Sequence, residues 1–348
     1  MKKTFALALA LAMSLSLVAC GGGKTEAPAP EASTPAPEAS TPAPESTKGG
    51  MEGGTSLTFT TGGDQGTYYG FGGVLAGKVG ETTSTTVTAI TSGGSQANIE
   101  AMDMGDAQLG FVQTDVGAYA YQGTRLFEET GKIDGFATVA NLYMEQIQIV
   151  TLDESIKSVA DLAGKNVSVG AAGSGVFYNA VDVLGAYGLD VEKDINPTYQ
   201  SFGDSVEALQ DGKIDAAFVV AGAPTTAVTS LAATKQVYLV SLDQEHIDAL
   251  LAASPYYSAN TIKADVYGTP ADVTTVAVGA VVIANDDVSE ADVYNFLYGV
   301  FENLDAITTA HAKGAELSLD FGASYGAVPY HPGAVKYFAE KGIEVPAK

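Results

Sequence analysis

The sequence predicts an α/β protein with two similar lobes joined by crossing strands. Short apolar strands alternate with helices, and glycine-rich loops stand at the strand-to-helix junctions. An internal repeat supports two lobes: residues 100–112 match residues 207–219 at an offset of 107 without a gap. A second pair, Gly-Thr-Tyr-Tyr at 66–69 and Gly-Val-Phe-Tyr at 175–178, lies at an offset of 109. We therefore expect two copies of one strand–helix–strand plan.

Residues 1–19 predict a bacterial lipoprotein signal peptide. Lys2 and Lys3 precede an apolar run that is too short to cross a bilayer. The run ends in Leu-Val-Ala before Cys20, the single cysteine of the chain. This ending resembles a lipobox, which implies cleavage before Cys20 and its lipidation, whereas the alternative is an ordinary signal with an incidental cysteine. We expect an extracytoplasmic protein anchored by Cys20, in the periplasm or on the outer face of the cell membrane.

Residues 20–54 predict a tether that follows the lipidated cysteine. The sequence Pro-Ala-Pro-Glu-Ala-Ser-Thr occurs twice in succession there and is followed by a shorter variant. Such a segment lacks the apolar surface needed to fold, and its prolines favour an extended chain of about 3.1 Å per residue. The rest of the chain is predicted to form lobe one (55–149), lobe two (150–275) and a return through the hinge to lobe one (276–348).

The charge balance excludes several kinds of partner. The chain has 41 acidic and 17 basic residues, a net charge of −24 at pH 7. Such a surface disfavours binding to nucleic acid and adsorption to anionic lipids. An anionic ligand is still compatible, because local dipoles act at short range and salt screens charges beyond roughly 10 Å. Arg125 is the single arginine, so a pocket built on several arginines is impossible.

The predicted elements follow the same plan in each lobe. Strands are expected at 57–60, 87–90 and 107–112 in lobe one and at 166–169 in lobe two. Helices are expected at 67–79, 96–104 and 176–187, and near the end of the chain at 293–304 and 334–341. Two long apolar strands, 146–152 and 276–284, stand where the chain crosses between the lobes.

Three glycine-rich loops, 62–69, 91–95 and 170–176, predict the binding site. Ligands of open α/β sheets bind outside the carboxyl ends of the strands, and helix N-termini there favour anions. A single loop of this kind merely makes a tight turn, whereas three together indicate a site. The candidate ligand-binding residues are Gly66, Thr67, Tyr68, Tyr69, Ser92, Gly94, Ser95, Asn98, Gln113, Asp115, Gly173, Ser174, Gly175, Val176, Gly222 and Pro224.

Polar side chains near these loops have two interpretations. A hydroxyl at a helix N-terminus either binds ligand or caps the helix. One of Tyr68 and Tyr69 is expected to face the cleft and the other the core. Asp115 and Glu145 are candidates for pairing with a ligand ammonium, and the alternative for each is a helix cap or a solvated carboxylate. The hydroxyls concerned are those of Thr67, Ser92, Ser95 and Ser174.

Sequence motifs for catalysis, metals and cofactors are missing. No Gly-Lys pair after residue 55 precedes Ser or Thr, as a phosphate-binding Walker loop requires. Ala172 stands where a nucleophile elbow needs glycine, and the three histidines lack metal spacing. We predict a binding protein with a small-molecule ligand, no cofactor, no metal and no enzymatic activity. The alternative, an enzyme using Ser95 or Ser174, requires a base within reach of that serine.

Seven short motifs follow one another along the body of the chain. They are at 66–69, 93–98, 111–115, 158–165, 173–175, 211–216 and 331–334. In this order they resemble the TAXI family of solute-binding proteins, which serve tripartite ATP-independent periplasmic (TRAP) transporters. The resemblance covers about 56–342 and implies a type II periplasmic-binding-protein fold with a ligand cleft between the lobes.

The resemblance also implies a function. It suggests a monomer without enzymatic activity that delivers a small organic anion or amino acid, glutamate-like, to TRAP membrane subunits. Two departures bear on the ligand: Val176 stands where the family often has Thr, and Met144 replaces the Pro of a Leu-Tyr-Pro-Glu motif. A protein of the same fold that serves an ABC importer or a signalling receptor is the alternative.

Overall fold

The computed structural model describes residues 48–348. The predicted signal peptide, Cys20 and most of the predicted tether lie outside the described residues. No helix within this range is long and apolar enough to cross a membrane. The strands are β1 (Ser56–Thr60), β2 (Thr86–Ile90), β3 (Leu109–Gln113), β4 (Phe136–Thr151), β5 (Asn166–Ser168), β6 (Asn196–Thr198), β7 (Ala216–Ala221), β8 (Tyr238–Leu239), β9 (Ser258–Ile262) and β10 (Val273–Asn285).

The same range forms α-helices of 4 to 16 residues. The helices are α1 (Thr67–Thr82), α2 (Ser95–Asp103), α3 (Thr114–Gln122), α4 (Val176–Ala186), α5 (Phe202–Gln210), α6 (Thr226–Ala232), α7 (Gln244–Ala253), α8 (Glu290–Phe301), α9 (Leu304–Ala310), α10 (Leu319–Gly322) and α11 (Pro332–Glu340). The helices predicted from the sequence lie within about one turn of α1, α2, α4, α8 and α11.

One mixed sheet runs through the described part of the chain. Its order is β2-β1-β3-β10-β4-β7-β5-β6, with β8 added to β4 and β9 added to β10. The long strands β4 and β10 are antiparallel neighbours. Strand β10 also pairs with β3, and β4 also pairs with β7. Strands β4 and β10 therefore connect the parallel strands β1, β2 and β3 to the parallel strands β5, β6 and β7.

Strand β4 is longer than the predicted strand, which began at residue 146. Asn141 and Glu145 interrupt the apolar pattern before residue 146. In the structure, every residue of β4 except Met144 is buried. The polar side chains are accepted because they make internal contacts: the Asn141 amide donates to Ser324, and Tyr68 donates to Glu145.

The apolar core is divided into four clusters. The buried members of two clusters come from residues 57–143 and 280–338. Those of the other two come from residues 147–278. Because separate cores favour rigid-body movement of the parts that they stabilise, we keep the predicted lobe boundaries as a proposal about how the chain moves. Lobe one and lobe two below refer to those segments.

Candidate functional site

A cleft lies where the loops after β1, β2 and β5 meet. The free volume inside it is about 80 Å³. Clefts for drug-sized molecules usually measure about 300–1,000 Å³, so the cleft in this structure is narrow. Ten predicted binding residues line it: Gly66, Thr67, Tyr68, Ser92, Gly94, Ser95, Gln113, Ser174, Gly175 and Val176. The glycine-rich loops from the two lobes therefore come together at one site.

The remaining predicted residues do not line the cleft. Asn98 points into lobe one, where its amide donates to the carbonyls of Thr61 and Phe111. Tyr69 is 37% exposed, whereas Tyr68 is 8% exposed and reaches the cleft. The expectation that the second tyrosine enters the core is wrong, because one residue along a helix turns the side chain by about 100°. The others outside the lining are Asp115, Gly173, Gly222 and Pro224.

Two of those backbone positions connect the lobes instead. The Thr67 hydroxyl donates to the carbonyl oxygen of Gly222 over 2.8 Å. The backbone amide of Ala97 donates to the carbonyl oxygen of Gly173 over 3.1 Å. Both bonds join lobe one to lobe two across the cleft, so these residues hold its walls together.

Sequence reasoning missed part of the lining. Ser201 and Phe202, at the start of α5, face the cleft from lobe two. In the internal repeat, with its offset of 107, Phe202 corresponds to Ser95. Applying that offset to the predicted site would therefore have found this fourth loop. Glu145, named as a candidate for pairing with a ligand ammonium, lies in the lining. The other missed residues include Ala171, Val220 and Ala221.

Three helices begin at the cleft with glycine as the N-cap. These are α1 after Gly66, α2 after Gly94 and α4 after Gly175, and no side chain among residues 48–348 caps them. By contrast, side chains of Ser201 and Asp243 cap α5 and α7. The first N–H groups of a helix need acceptors, and they carry the positive end of its dipole. Three N-termini without a side-chain cap at one cleft are an arrangement that favours a negatively charged group.

Glu145 is the acidic residue of the cleft lining. Its side chain is 2% exposed, and its Oε2 accepts a hydrogen bond of 2.8 Å from the Tyr68 hydroxyl. The Tyr68 ring stacks on Phe111 with a centroid distance of 4.6 Å, which fixes its direction. Burial raises the pKa of Glu145 well above its ordinary value, although the bond from Tyr68 and the charge of Lys313 act in the opposite direction. The raised pKa favours the neutral form of this carboxyl group.

Apart from Glu145, the described residues that line the cleft include no acidic or basic side chain. Within the described range, neither lysine nor arginine lines it. Lys313, whose charge acts on Glu145, has its Nζ paired with Glu316 and 5.7 Å from the centre of the Tyr143 ring. No group of His, Cys, Asp and Glu in residues 48–348 is arranged to hold a metal ion. Recognition at this site must therefore rest on backbone N–H groups, hydroxyls and aromatic surface.

The chain is similar to one protein family and to solved structures of other proteins. The model of the NMT1-like family matches residues 59–342. The structure of MatC from Rhodopseudomonas palustris with bound malate is 15% identical, covers 76% of this chain and 90% of its own, and has a TM-score of 0.53. The periplasmic aliphatic sulphonate binding protein SsuA from Escherichia coli is 16% identical, with 83% and 91% covered and a TM-score of 0.40. The likeness to MatC shows a shared fold.

Proposed function

The chain belongs to the NMT1-like family, and from this premise we propose that it is an extracytoplasmic solute-binding protein. Its fold is α/β and of the type II periplasmic-binding-protein class, as the sequence predicted. In this proposal it captures a small organic anion or amino acid, glutamate-like, between its lobes. It then delivers the solute to the membrane subunits of a TRAP transporter. The observation that carries the proposal is the meeting of three uncapped helix N-termini at one cleft.

The magnitudes are sufficient for capture without an arginine. A helix N-terminus contributes about 0.3–1 kcal/mol at the surface and up to about 2 kcal/mol when partly buried. A hydrogen bond to a charged group contributes about 1.5–3 kcal/mol. A few such terms reach the roughly −8 kcal/mol of micromolar binding after the cost of closing is subtracted. The raised pKa of Glu145 assists, because it favours the form that places no negative charge beside the ligand.

The identity of the partner rests on sequence motifs alone. The ordered motifs between residues 56 and 342 favour a TRAP transporter over an ABC importer or a signalling receptor. The direct test is uptake by vesicles that contain TRAP membrane subunits, with and without this chain. Uptake that is equally fast in both would contradict the assignment of the partner.

Solute binding itself is tested by mass spectrometry of small molecules released when the purified full chain is denatured. We expect a carboxylate-bearing molecule in near-stoichiometric amount. L-glutamate added to ligand-free protein is expected to raise its melting temperature. If nothing is released and no carboxylate or amino acid changes the melting temperature, the proposed function is wrong.

Replacing Cys20 with Ala is expected to release the protein from membranes. Anchoring by a lipidated cysteine would depend on this thiol, since the sequence contains no second one. The measurement is the fraction of protein in the detergent phase after phase separation, with Ser16→Ala as the control within the same segment. Equal partitioning of Cys20→Ala and wild type would show that the segment is an ordinary cleaved signal.

Replacing Thr67 with Val is expected to weaken solute binding by about three- to tenfold, the value of one neutral hydrogen bond. The change keeps the shape of the side chain but removes the bond to the Gly222 carbonyl across the cleft. Thr82→Val is the matched control, because its hydroxyl donates within α1 to the carbonyl of Lys78. Titration calorimetry measures both, and equal losses in the two variants would remove the special role of Thr67.

A further inference from the structure

A second set of contacts joins the lobes beside the cleft. The Gln113 amide donates to Asn179 Oδ1 over 3.0 Å, and Asn179 Nδ2 donates to Asp115 Oδ2 over 2.9 Å. Asn179 Nδ2 also lies 3.0 Å from the hydroxyl of Tyr257. Gln113 and Asp115 belong to lobe one, whereas Asn179 and Tyr257 belong to lobe two. Asn179 is therefore bonded on both sides of the boundary between the lobes.

The contacts continue outward to the surface. The Tyr257 hydroxyl donates to Asp182 Oδ2 over 2.9 Å. Arg125 of lobe one then pairs with Asp182 Oδ1 of lobe two at 2.5 Å. Arg125 is thus remote from the cleft lining but still spans the two lobes. Three bonds of this set cross the boundary, those of Gln113, Asp115 and Arg125.

The inner members of this set of contacts are buried. Asn179 is fully buried, and Asp115 is 1% exposed. Breaking a bond of a buried polar group without a replacement costs more than the bond gains when it forms. These bonds therefore either all persist or are exchanged together for water when the lobes separate. Gln113 lies in the cleft wall, so its amide connects the solute site to Asn179.

We propose that Asn179 is the centre of a latch, formed with Gln113, Asp115, Tyr257, Asp182 and Arg125, that holds the lobes closed on a bound solute. The proposal rests on the proposed function and adds positioning residues that do not line the cleft. A solute that fills the cleft holds Gln113 against Asn179. Opening separates Asn179 from Gln113 and Asp115 and admits water to both.

The latch is tested with Asn179→Ala in the full chain. We expect affinity to fall about tenfold or more, through faster dissociation with little change in the association rate. Asn196→Ala is the matched control, because the Asn196 amide donates to Gly164 within lobe two. Tyr257→Phe is a milder second variant that keeps the ring and removes the hydroxyl. The probe is L-glutamate or, if it causes no thermal shift, the small molecule released from the denatured protein.

Closure is measured separately from affinity. In a Cys20→Ala background the chain has no thiol, so cysteines placed at the exposed positions Asp106 and Lys193 carry a pair of spin labels. We expect Asn179→Ala to lower the closed fraction at saturating probe, and Asn196→Ala to leave it unchanged. If Asn179→Ala merely lowers the melting temperature, with closure and affinity intact, the residue is structural and the latch is wrong. Absence of any bound molecule would instead contradict the proposed function.

A pH series gives a readout that packing alone would not produce. Burial raises the pKa of Asp115 to about 6, although hydrogen bonds from Asn179 and the Val116 amide lower it. Opening exposes the carboxyl to water, where its pKa is near 3.8. Closing therefore takes up a proton between these values, and binding is expected to be about tenfold tighter at pH 5 than at pH 7.

Other titrating groups near Asp115 require a control. Asp182, Glu145 and Arg125 carry or can carry charge there, and tyrosines at 119, 256, 257 and 325 face the carboxyl from neighbouring elements. Asp115→Asn keeps an oxygen for Asn179 but removes the titration. We expect this variant to lose the tenfold pH effect and to bind at pH 7 at least as tightly as wild type. A wild-type pH profile in Asp115→Asn would overturn the role of Asp115.

Discussion

Replacing Gly175 with Ala is expected to weaken solute binding by about 5- to 150-fold, the equivalent of the roughly 1–3 kcal/mol that overpacking costs. A β-carbon at this position would lie 1.6 Å from Gln113 Oε1 and 2.8 Å from a methyl group of Val116. Gln113 cannot move aside freely, because its amide bonds to Asn179 and its backbone N–H donates to Ser95. The lobes must therefore separate to admit the methyl group.

The backbone at this position does not itself require glycine. Gly175 has φ −69° and ψ −18°, angles that alanine adopts without strain. Any effect of Gly175→Ala thus reports the contact between the lobes. The matched control is Gly185→Ala in the same helix, where the added β-carbon meets no described atom within 4 Å apart from its chain neighbours and the backbone of its own helix. We expect that variant to bind normally and to gain up to about 1 kcal/mol of helix stability.

Titration calorimetry and spin-label distances on both variants test whether the lobes close against each other at Gly175. The expected pattern is a lower closed fraction and lower affinity for Gly175→Ala alone. Wild-type affinity in Gly175→Ala would mean that the solute-bound form holds the lobes farther apart than in this structure. The proposed closure around Gln113 and Asn179 would then be incorrect.

Local sequence patterns predicted the frame of the site but not its contacts. Strands and glycine-rich loops follow from hydrophobic periodicity and from the short-range geometry of turns. The three loops that carry glycines 66, 94 and 175 were therefore found from sequence, whereas in the structure these glycines are the N-caps in place of the hydroxyls that were possible caps. The side-chain contacts across the cleft, such as those of Asn179, depend on how two distant segments are brought together. Nothing in the sequence around Asn179 distinguishes it from a polar residue on an exposed helix face.

Glu145 is a second side chain whose environment could not be predicted from the sequence. Its place in the sequence allowed either a solvated carboxylate or a ligand contact. The structure buries it because β4 has a neighbouring strand on each side and Tyr68 covers its end. That environment bears on the proposal that a chain of net charge −24 binds an anion without several arginines. The raised pKa of Glu145 favours its neutral form, and no side chain caps the three helices that begin at the cleft.

Replacing Glu145 with Gln is therefore expected to make the protein more stable than wild type at high pH, by an amount that grows by about 1.4 kcal/mol per pH unit. The pKa of Glu145 is raised in the folded chain above its ordinary value of 4.5. As pH rises through 4.5, the unfolded chain loses this proton and the folded chain keeps it. The unfolded state then binds fewer protons, so the free energy of unfolding of wild type falls until the raised pKa is reached. Glutamine is neutral throughout and still accepts the hydrogen bond of Tyr68.

Urea unfolding of wild type and Glu145→Gln at several pH values above 4.5 measures the difference. Glu154→Gln is the control, because Glu154 is exposed and its replacement should leave the wild-type pH profile unchanged.

The affinity of the Glu145→Gln variant for solute separates two possible roles of Glu145 at the site. A protonated Glu145 that merely avoids repulsion predicts solute affinity within about threefold of wild type in Glu145→Gln, since both side chains are neutral. A carboxylate paired with a ligand ammonium predicts a loss of tenfold or more, because a charge-assisted bond would be removed. Such a loss, together with a pH-independent stability difference, would show that Glu145 is ionised in the folded protein.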